Sequence, residues 1–340
     1  MAPGAPSKIE RIRRTLAGDE VDRPPISFWA HNFAKENCAE DLAQETVTQF
    51  RRYDWDFIKI QSRASVFGEA WGSRYRFSDQ RAVSPVLLDW PVRTAGDLKA
   101  IRPLRNLVGP LAEQLDALGM IRCEVGPDVP VLLTVFAPTM VLQFLAGESP
   151  ATLLGFVRDS PKEAHDALVA VRETLAAYVT AALEKGADGI FFAVKAASAD
   201  QMTRADYAEF GLPYDGPVLE AARGGWLNML HLCGSRLYFD IAKDLPAPLV
   251  NWALEPGNPT LAEGRDRLGR AVIGGVSPKP RIKSLTVEEV RAEVLGALAD
   301  TRGKRMMIGP GCSISPDTPE ANLFAARRAV DEWQGAFGCP

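Results

Sequence analysis

Eight short apolar runs, separated by longer stretches with helical patterning, constrain this chain more than any other feature. They occupy 24–30 (PPISFWA), 56–61 (DFIKIQ), 129–137 (VPVLLTVFA) and 187–194 (ADGIFFAV). They continue at 226–233 (WLNMLHLC), 248–254 (PLVNWAL), 271–277 (AVIGGVS) and 305–312 (RMMIGPGC). Runs this short and this continuously apolar fit strands buried on both faces of a parallel sheet. The segments between them carry helix punctuation. Ser160 and Pro161 open a long helical pattern that stops at Gly186, as an N-cap, a first-turn proline and a terminal glycine should. Thr286 precedes early acids at Glu288 and Glu289, which suits an N-cap and the positive end of a helix dipole. Eight such alternations predict an α/β fold, a single (β/α)8 barrel domain over 1–340. A doubly wound open sheet is the competing architecture, but no G-x-G-x-x-G follows an early strand, which weakens it.

One interval breaks the rhythm. Residues 68–125 are long for a single crossover, and the first part is rich in Arg, Pro and Gly. This predicts an excursion over the barrel mouth after the second strand, followed by a helix. Loops at strand C-termini carry function in barrels, so the excursion is a candidate lid or substrate wall. Its bland alternative is a surface insertion that packs its own Trp71, Tyr75 and Trp90.

Composition excludes several classes. The chain has 340 residues, 46% hydrophobic and 24% charged, which is ordinary globular usage. With 39 Lys and Arg against 43 Asp and Glu, the net charge is −4. That gives no electrostatic footprint for nucleic acid or an anionic membrane. Five scattered cysteines, an odd number, argue for a reducing cytoplasm rather than a disulfide framework. The N-terminal MAPGAPSKIERIRR has no apolar core of a signal peptide. Residues 129–147 are uncharged over a length that could cross a bilayer. Pro130 and Pro138 turn them instead into a buried strand, a turn and the start of a helix.

The chemistry concentrates in two places. In HLCG, His231 and Cys233 end the fifth run; at i and i+2 they project to one side. In GPGCSISPDTP, Cys312 ends the eighth run, too far along the chain for a local zinc knuckle. Barrel closure would bring both strand ends to one mouth. His, Cys and Cys suffice for Zn2+ with a fourth position open, as a catalytic zinc needs. Thiolate ligands suit the activation of sulfur better than hydrolysis. The plain alternative is two buried cysteines and a satisfied core histidine.

Other residues are weaker candidates. His31, after the first run, is a candidate substrate ligand or acid–base group, or a loop cap. Glu255, after the sixth run, is a candidate fourth ligand or base, or a loop carboxylate. Lys59, Gln61 and Lys195 sit near strand ends and face either the mouth or solvent. Arg63, Arg74, Arg76 and Arg81 form either an anion site or a solvated surface. Asp317 reads as a turn or cap. Asp200, Tyr207 and Tyr214 lie near the expected mouth without a distinguishing signal. His165 reads as an exposed helix residue, and Cys38, Cys123 and Cys339 as incidental.

The segment SKIERIRRTLAGDEVDRPPISFW (7–29) resembles the opening of the uroporphyrinogen decarboxylase superfamily, where a short N-terminal helix leads through a D-R-x-P turn into strand one. FGLPYDGPVLEAAR, LAEGRDRLGRAVIGGVSP and GPGCSISPDTPEANLFAARRAV resemble later landmarks of that superfamily. The likeness spans almost the whole chain and implies one barrel with its site at the C-terminal mouth. The decarboxylases carry an R-Q-A-G-R segment after strand one that holds substrate carboxylates. Here the position reads AHNFAKENC, without arginine. H-x-C followed by a distant G-x-G-C resembles the zinc signature of the corrinoid-linked methyltransferase branch. The resemblance implies His231, Cys233 and Cys312 as zinc ligands and a methyltransferase acting between a corrinoid and a thiol or other small molecule. No corrinoid-binding D-x-H-x-x-G is present, so cobalamin is expected from a partner protein or as a co-substrate. A homodimer is admitted. The alternatives are a zinc-independent decarboxylase or lyase on a small carboxylate, and a non-catalytic pigment-binding protein.

Overall fold

The computed structural model describes residues 6–337; Cys339 lies outside them. Seven parallel strands form one curled sheet: β1 (Ile58–Ile60), β4 (Val131–Phe136), β5 (Gly189–Val194), β6 (Met229–Leu232), β7 (Leu249–Trp252), β8 (Ala271–Val276) and β9 (Met306–Pro310), hydrogen-bonded in that order. Two short strands, β2 (Arg74–Arg76) and β3 (Val86–Asp89), make a separate antiparallel hairpin. Helices lie between successive sheet strands, among them Pro110–Val125, Pro161–Glu184 and Val287–Thr301. Thr286 closes the last with a full capping box.

The first apolar run is the eighth stave, but not a regular strand. Pro24 and Pro25 have no N–H to give a ladder. Residues 24–30 instead make isolated parallel bridges to the β9 side, Ile26 to Ile308 and Ala30 to Ile314. On the other side the Asp56 N–H donates to the Ile26 carbonyl at 2.8 Å, and the Ile26 N–H donates to the Asp56 carboxylate at 2.8 Å. The segment therefore closes the sheet between β9 and the chain entering β1.

Asp56 is also the fastening of the barrel base. It is fully buried and accepts from Arg11 at 2.8 Å and Arg23 at 2.6 Å. Arg11 in turn grips Asp22 with two bonds of 2.8 and 2.7 Å. The D-R-x-P residues thus tie the N-terminal helix Lys8–Ala17 to the barrel. Ile12 of that helix joins the cluster inside the barrel, with Phe57, Leu132, Phe191, Met229, Leu249, Ile273 and Met307. Their neighbours in sequence, such as Ile58, Phe192, Leu230 and Val250, belong to the outer core against the helices. Alternation along each strand separates the two layers.

The uncharged stretch 129–147 resolves into β4 and the helix Pro138–Leu145. Among the described residues no single helix is long and apolar enough to cross a membrane; one short pair that passes together is bent by 104°. The excursion after β1 holds the hairpin and is tied along the rim. Arg81 donates to the Pro316 carbonyl at 2.8 Å, Phe33 N–H donates to the Arg81 carbonyl at 3.1 Å, and Tyr75 hydroxyl bonds Glu148 at 2.9 Å. Trp71 bonds the Arg102 carbonyl at 3.0 Å, so part of the excursion also packs on itself.

Candidate metal centre

The period of two places His31, Lys59, Gln61, His231, Cys233 and Asn251 on inward positions of four staves, towards their C-terminal ends. Cys312 follows the end of β9. The ligand atoms of His231, Cys233 and Cys312 lie within 4.8 Å of one another, the histidine buried and the cysteines half-buried. No other group of three or more His, Cys, Asp or Glu able to hold a metal occurs among the described residues. The Cys312 loop is held close by a glycine. A Cβ at Gly311 would stand 2.5 Å from the backbone Cα of Ala253, so only glycine lets the chain pass there.

The orientation of His231 is fixed by a residue not singled out in the sequence, Asn251 on β7. The Asn251 amide nitrogen donates to the carbonyls of Ile273 at 2.8 Å and Pro310 at 3.0 Å. Its oxygen is therefore turned to His231 and accepts from Nδ1 at 2.6 Å. With Nδ1 as the donor, Nε2 of the neutral ring is an acceptor. Nε2 is buried and has no hydrogen-bond partner. A buried nitrogen left unpaired costs about 1–3 kcal/mol, and a metal ion held with the two sulfurs removes that cost. The residues fit the group. Cys312 is held well below the ordinary thiol range, because the Cys233 thiol donates to it, against a burial that works the other way. Cys233 is pushed up by that same bond and by burial. A polar asparagine inside the run PLVNWAL, at an inward position, is the signal that sequence reading missed.

A second chain of hydrogen bonds runs beside the cluster. Glu36 accepts from His31 Nδ1 at 2.8 Å and from the Asn32 N–H at 2.8 Å. Gln61 donates through Nε2 to His31 Nε2 at 2.8 Å, and its oxygen accepts from Lys59 Nζ at 2.5 Å. Both ring nitrogens of His31 are thus engaged. His31 is turned inward by Glu36 and holds Gln61. Lys59 is buried, and desolvation pulls its ammonium down to about 7 against the opposing pull of Cys312 and Glu36.

Several other expectations change. Glu255 does not join the cluster; it is exposed on a turn after β7, where its N–H bonds the Ala253 carbonyl at 2.8 Å. The arginines do not converge. Arg63 is buried between Glu69 at 2.9 Å and Glu113 at 2.5 Å, Arg74 pairs with Asp89, Arg76 is exposed on the hairpin, and Arg81 pairs with Glu45. Asp200 holds Arg236 and Ser235, and Asp317 pairs with Lys283 at 3.1 Å. Tyr207 is buried on Asp215. His165 is not freely exposed: it stacks on Phe210 and bonds the Tyr214 hydroxyl at 2.5 Å. Lys195 and Lys279 are near enough to the cluster for their charges to act on Cys233.

Comparison with known proteins agrees with this architecture. A Methanosarcina mazei methyltransferase structure superposes with a TM-score of 0.83 at 22% identity, covering 96% of this chain and 99% of that one. A B12-independent methionine synthase from Shewanella sp. W3-18-1 gives 0.59 at 13% identity, covering 88% of this chain and 89% of that one. In sequence, the methylcobamide:CoM methyltransferase MtaA of Methanosarcina barkeri (strain Fusaro / DSM 804) is 26% identical, over 95% of this chain and 97% of that protein. A uroporphyrinogen decarboxylase from Prochlorococcus marinus (strain NATL2A) is 23% identical, over 94% of this chain and 96% of that protein. The uroporphyrinogen decarboxylase (URO-D) family profile matches residues 7–333. The chain belongs to the uroporphyrinogen decarboxylase family.

Proposed function

We propose that this chain is a zinc-dependent methyltransferase, moving a methyl group between a corrinoid brought by a partner protein and a small-molecule substrate, in the simplest case a thiol. The observation that carries the reading is the buried, unpartnered Nε2 of His231 beside two cysteine sulfurs. One imidazole and two thiolates suit Zn2+ and leave a position for the substrate. When bound, zinc supplies Lewis acidity to the substrate heteroatom, favouring a thiolate near neutral pH. The chain's own side chains set that position. Asn251 holds the imidazole by Nδ1 and keeps Nε2 the acceptor. Phe191 stacks on the His231 ring at 5.0 Å and restricts its rotation. The apolar layer of Met229, Leu249, Ile273 and Met307 closes the barrel interior to water. Two cysteines kept as ligands suit a reducing cytoplasm.

The Methanosarcina barkeri relative is named for a methylcobamide and CoM, which supports both the corrinoid and the small-molecule partner. The decarboxylase relatives support a decarboxylase or lyase instead. That reading needs several arginines turned to the substrate's carboxylates; Arg63, Arg74 and Arg81 are paired with carboxylates of the chain, and Arg76 is exposed on the hairpin. It also leaves the His–Cys–Cys cluster without a task. The test is methyl transfer from methylcobalamin to a panel of thiols by wild type and Cys312→Ala. Wild type is expected to turn over, and the variant to fall by about a hundredfold or more with loss of zinc. A Cys312→Ala protein that keeps full zinc and full transfer refutes the assignment.

A further inference from the structure

Lys59 is an ammonium with no carboxylate paired to it inside the protein; the opposite charges that reach it are those of Cys312 and Glu36. It is 6% exposed. Its Nζ donates to Gln61 and rests over the rings of Phe191 at 4.4 Å and Trp29 at 5.9 Å. No carboxylate lies within ion-pair distance of it among the described residues, nor of Lys195 or Lys279 near the same cluster. Glu36, the acid whose charge reaches Lys59, is already taken by His31 and the Asn32 N–H. A buried lysine without a partner is costly, and here the relay Glu36–His31–Gln61 holds it in place. Lys59 and Gln61 also line a cavity of about 450 Å³ whose walls include Trp29, Phe57, Tyr53 and Trp55. The Asn32 side chain, on the same cavity, leaves its oxygen buried and unpaired. Finally, Lys59 and His231 share one neighbour, the Phe191 ring.

We propose that Lys59 is the anion anchor of the substrate: the small molecule presented to the His231–Cys233–Cys312 cluster carries an acid group that pairs with the Lys59 ammonium. This rests on the methyltransferase reading for the reactive end of the molecule, and on the cavity and the uncompensated lysine for its acidic end. An arriving acid group takes the N–H donors that Gln61 leaves unused. It also restores the charge that burial works against, since desolvation is what pulls this lysine down. The cluster residues do not line that cavity; the Phe191 ring, touching both the Lys59 ammonium and the His231 ring, is what a short hydrocarbon link between the acid and the heteroatom would pass over. Gln61 and His31 act as positioning residues, because they reach the substrate only through Lys59.

The experiment is calorimetric titration of the zinc-loaded full chain with three thiols of similar size: 3-mercaptopropionate, 1-propanethiol and 2-aminoethanethiol. The acid is expected to bind about tenfold or more tighter than propanethiol, and the amine more weakly than propanethiol. In Lys59→Met, with zinc content unchanged, the acid and propanethiol are expected to bind alike. Wild type that binds the acid no better than propanethiol overturns the proposal, and so does a Lys59→Met protein that keeps the preference. Should Lys59→Met fail to fold, the three-thiol order in wild type decides alone. Absence of zinc with no thiol binding sinks the methyltransferase reading instead. In that case propionate titrated into the zinc-free wild type still decides the anchor: binding supports it, and no binding removes it.

Discussion

At the scale of single residues, the account turns on one hydrogen bond. Asn251 could accept or donate towards His231, and its two bonds to the carbonyls of Ile273 and Pro310 decide that it accepts. The outer partner of a metal-binding histidine is commonly worth 10- to 100-fold in metal affinity. Asn251→Ala is therefore expected to weaken zinc binding by about 10- to 100-fold while leaving one site per chain, measured by competition with a chromophoric chelator. Unchanged affinity would mean that His231 is not aimed by Asn251. His231, Cys233 and Cys312 were legible in the sequence because strand ends and the period of two place them. Asn251 was not, because an asparagine in an apolar run gives no sign of what it holds. Lys59 and Gln61 were ambiguous for the opposite reason: charge at a strand end fits the mouth and solvent equally, and only the surrounding rings settle it.

At the scale of elements, the eight apolar runs matched seven strands and one irregular stave. The exception has a physical cause, the two prolines at 24 and 25, and Asp56 supplies by its side chain what the ladder lacks. The hairpin β2–β3 escaped sequence reading because its strands are half exposed and only three and four residues long. The helices that follow β5 contain a second buried polar pair. Tyr207 of Arg204–Phe210 donates to Asp215 of Leu212–Ala221 at 2.7 Å, and the other Asp215 oxygen is unpaired. Burial pushes the Asp215 carboxyl up to about 7, against 3.8 for the free group. Between those values the folded chain keeps a proton that the unfolded chain has released. Stability from this group is thus complete below about pH 4 and falls as pH rises to about 7, by up to about 4 kcal/mol. Urea unfolding at pH 5 and pH 8 is expected to show the part of that drop above pH 5, about 3 kcal/mol, in wild type and to lose most of it in Asp215→Asn. A variant with the wild-type pH dependence would show that Asp215 is ionised in the folded state.

At the scale of the whole molecule, the barrel divides its duties between two ends. The base is locked by buried ion pairs of Arg11, Arg23, Asp22 and Asp56, and the N-terminal helix plugs it through Ile12. The mouth collects groups that the protein itself leaves incomplete: an unpaired imidazole nitrogen, two half-buried thiols and a lysine without a paired carboxylate. Incomplete groups gathered at one end, over a saturated and well-packed base, are what a barrel enzyme of this family offers its substrate. The central claim is that those three residues hold one zinc ion through two sulfurs and one nitrogen. It is tested most directly by zinc content together with X-ray absorption at the zinc edge on the purified full chain. The account predicts about one zinc per chain with two sulfur neighbours at about 2.3 Å and nitrogen at about 2.0 Å, lost in His231→Ala. A chain that takes up no zinc on reconstitution, or binds it without sulfur, would contradict it.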